Sequence, residues 1–170
     1  MLTENQKKYL KTIPADKIIK IVPFDPKTRD IVKSIRQKIN NDAGIKLGVN
    51  FMGASALGIS GQGDIELYIF CPEKDFYIYL PKLEHIFGPK VQGINIIKWQ
   101  FKVDGHEIEM YLTDPAIQST QEQIKTFEML KNNSKLLEEY EAIKVSADGQ
   151  SFRKYMTKKY DFFNKILKIN

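Results

Sequence analysis

Residues 64–69 of the run Asp-Ile-Glu-Leu-Tyr-Ile-Phe alternate, with Asp64, Glu66 and Tyr68 on one face and Ile65, Leu67 and Ile69 on the other. A period of two held over six residues is a strand with one face to bury and one polar face to keep open. Just before it, Gly53-Ala54-Ser55-Ala56-Leu57-Gly58-Ile59-Ser60-Gly61-Gln62-Gly63 is a run of small residues. Such a run turns tightly, and its backbone N–H groups can approach a ligand without side chains in the way. The chain must therefore build a sheet whose polar face carries two carboxylates beside a bare turn.

The flanking segments supply the rest of that sheet. Lys46 to Met52 alternates enough to form a strand, and Gly93 to Val103 and His106 to Leu112 flank Asp104-Gly105, a turn dipeptide that predicts an antiparallel hairpin. Lys17 to Phe24 is β-branched and apolar, a strand or extended segment that Pro23 keeps from the middle of a sheet. Asp25-Pro26 opens a helix whose Ile31, Ile35 and Ile39 share a face, ending near Asn40-Asn41. Its Lys27, Arg29, Lys33, Arg36 and Lys38 read as a solvated side. Residues 73–87 predict a helix that Pro81 kinks or splits. Thr3 caps a short first helix that Pro14 stops, and from about Ser119 the chain is helical with breaks at 132–134 and 147–149. The order predicts an α+β fold, a mixed β-sheet flanked by helices with a helical C-terminal part.

A chain of 170 residues is expected to form one domain over 1–170, with a helical extension at 1–15, a sheet-containing core at 16–114 and helices at 115–170. Cys71 stands alone and there are two histidines, His85 and His106, so a disulfide framework and a cysteine- or histidine-rich metal centre are excluded. No apolar run approaches the roughly 18 residues of a membrane span, and residues 1–13 hold Glu4, Lys7, Lys8 and Lys11 where a signal peptide would be apolar. The expected address is the cytoplasm, with no membrane partner. The net charge of +5 is uneven: residues 1–45 carry +5, residues 46–150 carry −5 and residues 151–170 carry +5. That is the pattern of an acidic site between basic ends, or of two solvated helices beside a sheet.

Two carboxylates at i and i+2 of a strand lie about 7 Å apart along the chain. Asp64 and Glu66 so placed are either compensated by water and lysine on a solvated face, or they hold a hard divalent cation through oxygen. The second hairpin strand puts Glu107, Glu109 and Tyr111 on one face and so offers a third carboxylate, Glu109 in preference to Glu107. Any metal bound here would be an oxygen-ligated one.

The stretch Gly53-Ala54-Ser55-Ala56-Leu57-Gly58 followed by Asp64-Ile65-Glu66-Leu67 resembles the Gly-Ser turn and D-x-[DE] signature of the nucleotidyltransferase superfamily. More narrowly, the chain resembles the GrpB-like branch. Ile21-Val22-Pro23-Phe24-Asp25-Pro26 is similar to its opening strand and turn, and Tyr140-Glu141-Ala142-Ile143-Lys144 with Tyr155, Lys158, Lys159 and Phe163 to its closing helices. The resemblance spans residues 18–168. Ala54 stands where the superfamily usually has Ser, and Ser60-Gly61-Gln62-Gly63 replaces the Lys-Pro that usually precedes the aspartate in the GrpB-like pattern.

The resemblance implies a Mg²⁺- or Mn²⁺-dependent two-metal transfer of a nucleoside monophosphate from a nucleoside triphosphate to an acceptor hydroxyl. Asp64, Glu66 and Glu109 (or Glu107) would hold the metals, and Gly53, Ala54 and Ser55, with Ser60, the phosphates. The alternative is a catalytically silent module of the same fold that binds a nucleotide or a partner protein. Geometry separates the two: the enzyme needs Asp64, Glu66 and one of Glu107 and Glu109 converging on one point, and a lysine at that point favours the silent module. Nucleic acid is disfavoured as a partner, because the last helix has six positive charges but no arginine cluster. Lys144, Lys158 and Lys159 read as solvated helix surface, Tyr140, Tyr155, Phe162, Phe163 and Trp99 as packing residues, His106 as a turn residue and Cys71 as a small buried hydrophobe.

Overall fold

The computed structural model describes residues 2–43 and 48–168. The helices are α1 (Glu4–Thr12), α2 (Thr28–Ala43), α3 (Gly53–Leu57), α4 (Phe76–Phe87), α5 (Gln118–Lys131), α6 (Ser134–Val145) and α7 (Phe152–Leu167), and the strands β1 (Val49–Met52), β2 (Ile65–Phe70), β3 (Ile96–Val103) and β4 (His106–Thr113). The fold is α+β, with one four-stranded mixed sheet and a C-terminal run of three helices. The chain forms two compact units, one of residues 25–58 and 63–121 that holds the sheet, the other of 1–24, 59–62 and 122–170.

In the sheet unit the strand order is β1-β2-β4-β3. β1 runs antiparallel to β2, β2 parallel to β4, and β3 antiparallel to β4. The expected hairpin is present: Asp104 (φ 50°) and Gly105 (φ 83°) both take the left-handed conformation that a two-residue turn requires. One face of the sheet is the apolar one foreseen from the alternation. Ile65, Leu67, Ile69, Ile108, Met110, Leu112, Ile97 and Trp99 are buried on it, and Ile31, Val32, Ile35 and Ile39 of α2 with Phe76 and Leu83 of α4 close the core. The other face carries the polar residues.

Several boundaries differ from expectation, among them the start of β3, which lies at Ile96 rather than Gly93. β1 begins at Val49, and the Lys46-Leu47 part of that expected strand lies outside the described residues. α2 begins at Thr28, because the Asp25 carboxylate accepts the Lys27 N–H (2.9 Å) and its carbonyl the Thr28 N–H (3.2 Å), holding Pro26-Lys27 as a turn. Pro81 neither ends nor splits α4; the break falls earlier, where a 3-10 turn over Glu73–Asp75 leads into the helix. Arg36 does more than face solvent, since its guanidinium donates twice to the Val49 carbonyl (2.9 and 2.7 Å) and ties α2 to β1.

In the helical unit, Thr3 and Gln6 form a reciprocal capping box on α1 (3.2 and 2.9 Å). Residues 17–24 are extended chain rather than a sheet strand, and Pro23 does not sit in the middle of the sheet. They pair singly, Ile18 with Ser151 and Val22 with Gly61. Leu10, Ile13, Ile19, Ala147, Phe152, Tyr155 and Met156 form this unit's core. Asn132-Asn133 and residues 146–151 separate α5, α6 and α7 as expected, with the Asn133 carboxamide capping α6 at Leu136 (3.2 Å).

Cys71 is buried at 3% exposure, and burial, followed by the charges of Asp75 and Asp114, pushes its thiol up to about 11. A thiol raised by about two units holds roughly a hundredfold less thiolate at pH 8. Alkylation by iodoacetamide at pH 8 is therefore expected to be at least that much slower in the native chain than in urea; equal rates would show that the thiol is not shielded. The unfolded thiol ionises first, so this group's contribution to stability is whole below pH 9 and is lost as the pH rises towards 11.

Candidate functional site

The polar face of the sheet is set by register. Glu66 of β2 lies directly beside Glu109 of β4, and Tyr68 beside Tyr111. Across the hairpin, Gln100 opposes Glu109, Lys98 opposes Tyr111 and Lys102 opposes Glu107. Asp64 immediately precedes β2. Strand alternation thus brings Glu66 and Glu109 side by side, whereas Glu107 lies one step beyond the first pair of β2 with β4, where the Gln100 carboxamide donates to it.

Two neighbouring carboxylates repel, and the structure shows what compensates them. The Tyr68 hydroxyl lies 3.4 Å from Glu66 Oε2, and the Tyr111 hydroxyl donates to Glu109 Oε2 at 2.5 Å. The two rings stack at 4.7 Å between centroids. Burial, and after it the charge of Glu66 for Tyr68 and of Glu109 for Tyr111, raises both phenols far above their ordinary range, so both remain donors. The remaining oxygen of Glu109 is taken by a residue that sequence reading had not singled out: Lys98 Nζ lies 2.6 Å from Oε1, with side chains 18% and 23% exposed. The same ammonium sits 5.6 Å from the Tyr111 ring centroid.

The donor set has the chemistry of a hard divalent site, all of it oxygen, but its geometry does not assemble one. Among the described residues no three of His, Cys, Asp and Glu converge on a point that could hold a metal ion.

The bare turn has a structural use. Gly53 has φ +76°, and a Cβ there would lie 2.5 Å from Glu66 Oε1, so the glycine makes room for the carboxylate. Ala54 and Ser55 are buried, and Ser55 Oγ donates to the Asp64 carbonyl at 2.6 Å, clamping α3 to the start of β2. Ser60 belongs to the helical unit, where its N–H donates to Glu141 Oε1 at 2.8 Å. His106 spans two loops: Nδ1 lies 3.2 Å from the Gly63 carbonyl and Nε2 3.3 Å from Asp25 Oδ2, which steadies the residue before Asp64.

Tyr140, Tyr155 and Phe162 are buried, as expected of packing residues. Lys144 is not solvated surface: it is buried in the helical unit, with Nζ 3.1 Å from the Tyr155 hydroxyl and 4.9 Å from the Tyr140 ring centroid.

No protein-family model and no curated protein sequence matches the chain. By structure it is similar to the conserved protein GrpB from Enterococcus faecalis, with a TM-score of 0.66 and 12% identity over 87% of this chain and 97% of that one. The fold is GrpB-like. At that identity the likeness reaches the GrpB-like fold and stops there, so chemistry must be argued from the side chains of this chain. No helix among the described residues is long and apolar enough to cross a membrane.

Proposed function

We propose that this GrpB-like chain is a catalytically silent binding module of the nucleotidyltransferase fold, whose ligand docks on the polar face of the sheet. The observation that supports it is Lys98. Its ammonium stands at 2.6 Å from Glu109, where the two-metal reading needs a divalent ion and an uncommitted carboxylate. The residues present therefore do not fit a resident metal pair. Asp64, Glu66, Glu107 and Glu109 outweigh Lys98 and Lys102, so a bare triphosphate would meet a net negative surface. Such a face suits donors: the amino edge of a nucleotide base, or the basic side chains of a partner protein.

The transfer reading keeps one observation in its favour, the direct register of Glu66 with Glu109 two residues after Asp64. Should a divalent ion displace Lys98, those carboxylates would be its ligands, with a nucleoside triphosphate as donor and a hydroxyl compound as acceptor. A thermal-shift screen of nucleosides and nucleoside triphosphates, with and without Mg²⁺, separates the two, because a ligand of the folded state raises its apparent stability. The expected result is stabilisation that ignores Mg²⁺, with no Mg²⁺-dependent pyrophosphate release in the wild type or in Asp64→Asn. Release that Asp64→Asn abolishes would establish transfer instead.

A further inference from the structure

We infer that Lys98 is the built-in counter-cation of the acidic face, a positioning residue that fills a divalent ion's place and keeps such ions out. This deepens the reading just proposed and rests on it in one respect, the absence of an assembled metal centre; it does not depend on which ligand the face takes. The evidence is that both oxygens of Glu109 are committed, Oε1 to the Lys98 ammonium at 2.6 Å and Oε2 to the Tyr111 hydroxyl at 2.5 Å. A cation approaching Glu109 must compete with both of them, and meets the charge of the Lys98 ammonium. The lysine is also held from behind. Its N–H donates to the Gln92 carbonyl (2.9 Å) and its carbonyl accepts the Val91 N–H (2.8 Å), which fixes the start of the side chain. Lys102, two positions from Gln100 on the same face, opposes Glu107 and is exposed. It supplies charge without occupying the Glu66–Glu109 register.

An ammonium is a point charge on a flexible stem, and a divalent ion competes with it for the same oxygens. Replacing Lys98 by Met keeps the stem and removes the charge. The face then holds Glu66 and Glu109 side by side, with Asp64 two residues ahead, and the Lys98 charge is gone from Glu109.

The test is Mn²⁺ titration of the full chain without nucleotide, followed by the loss of the free-ion signal in electron paramagnetic resonance. Lys98→Met is expected to bind Mn²⁺ about tenfold more tightly than the wild type, somewhat more than a fully solvated pair gives because this pair is mostly buried. The gain should vanish in Lys98→Met/Glu109→Gln and be absent in Lys98→Arg, which restores a cation, and in Lys102→Met. Equal Mn²⁺ affinity of the wild type and folded Lys98→Met would overturn the inference, as would an equal gain in Lys102→Met. Melting curves establish that each variant folds, and Lys98→Gln takes the place of Lys98→Met should the latter not do so. A chain that binds no nucleotide refutes a nucleotide ligand yet leaves this titration as decisive as before.

Discussion

Trp99→Ala is expected to lower the unfolding free energy by about 3–5 kcal/mol, the range for truncating a large aromatic in a core that cannot collapse around the hole. Trp99 is 1% exposed at the centre of β3, and it packs with the α2 and α4 residues that cover the apolar face. Its indole N–H also donates to the Gly88 carbonyl at 3.0 Å, pinning the end of α4 to the sheet. Truncation leaves that carbonyl without its donor, at a further cost of about 1–3 kcal/mol if water cannot reach it. A domain of ordinary stability has about 5–15 kcal/mol in all, so the variant should be close to unfolding. With a urea slope of about 2 kcal/mol per M, the midpoint falls by about 2 M. The loss should be followed by circular dichroism, because Trp99 is the only tryptophan and its fluorescence goes with it. Trp99→Phe, which keeps a ring and loses the donor, should cost clearly less. A loss below 1 kcal/mol for Trp99→Ala would mean that the core is not packed as described.

The fold was legible where a local rule is strict. Alternation over residues 64–69 placed Ile65, Leu67 and Ile69 of β2 on the core face, opposite Glu66 and Tyr68, and Asp104-Gly105 placed the hairpin turn, because two consecutive positive φ angles leave few other residue types. Pro23 kept residues 17–24 from the middle of the sheet, and of the two readings left open, strand or extended segment, the second is the one observed. Element ends were less legible, since α2 starts where the Asp25 side chain and carbonyl take up the Lys27 and Thr28 N–H groups rather than where a capping residue first occurs.

The candidate site was legible as a set of acids and illegible as a balance of charge. Asp64, Glu66 and Glu109 declare themselves by spacing on their own strands. Lys98 does not, because it acts across a strand pair. The signal was nevertheless present: a two-residue turn at 104–105 sets Val103 opposite His106, hence Lys98 opposite Tyr111 and diagonal to Glu109. Ser55 was legible only as part of a bare turn: its hydroxyl is spent on the Asp64 carbonyl, because a buried turn must satisfy its own backbone first.

Gly93→Ala should be the most disruptive single methyl in the sheet unit, and it also reaches Lys98. Gly93 has φ +108°, and a Cβ there would lie 1.7 Å from the Ile96 carbonyl oxygen and 2.6 Å from its carbon. These are backbone atoms, which cannot rotate aside as a side chain can. The chain must instead open where Gln92 bridges to Lys98, breaking the 2.9 Å and 2.8 Å bonds that hold the backbone of Lys98. Gly105→Ala is the matched control: its φ of +83° is also left-handed, but nothing lies within 4 Å of the new Cβ. That variant should lose about 1–2 kcal/mol, the dihedral cost alone. Gly93→Ala should lose at least about 2 kcal/mol more in urea unfolding, since it adds a collision and two lost backbone bonds. If the bridge is what aims Lys98 at Glu109, Mn²⁺ should bind Gly93→Ala more tightly than Gly105→Ala at matched fractions folded. Equal stability losses for the two variants would show that the collision is absorbed without opening the bridge, and equal Mn²⁺ affinities that the lysine finds Glu109 without it.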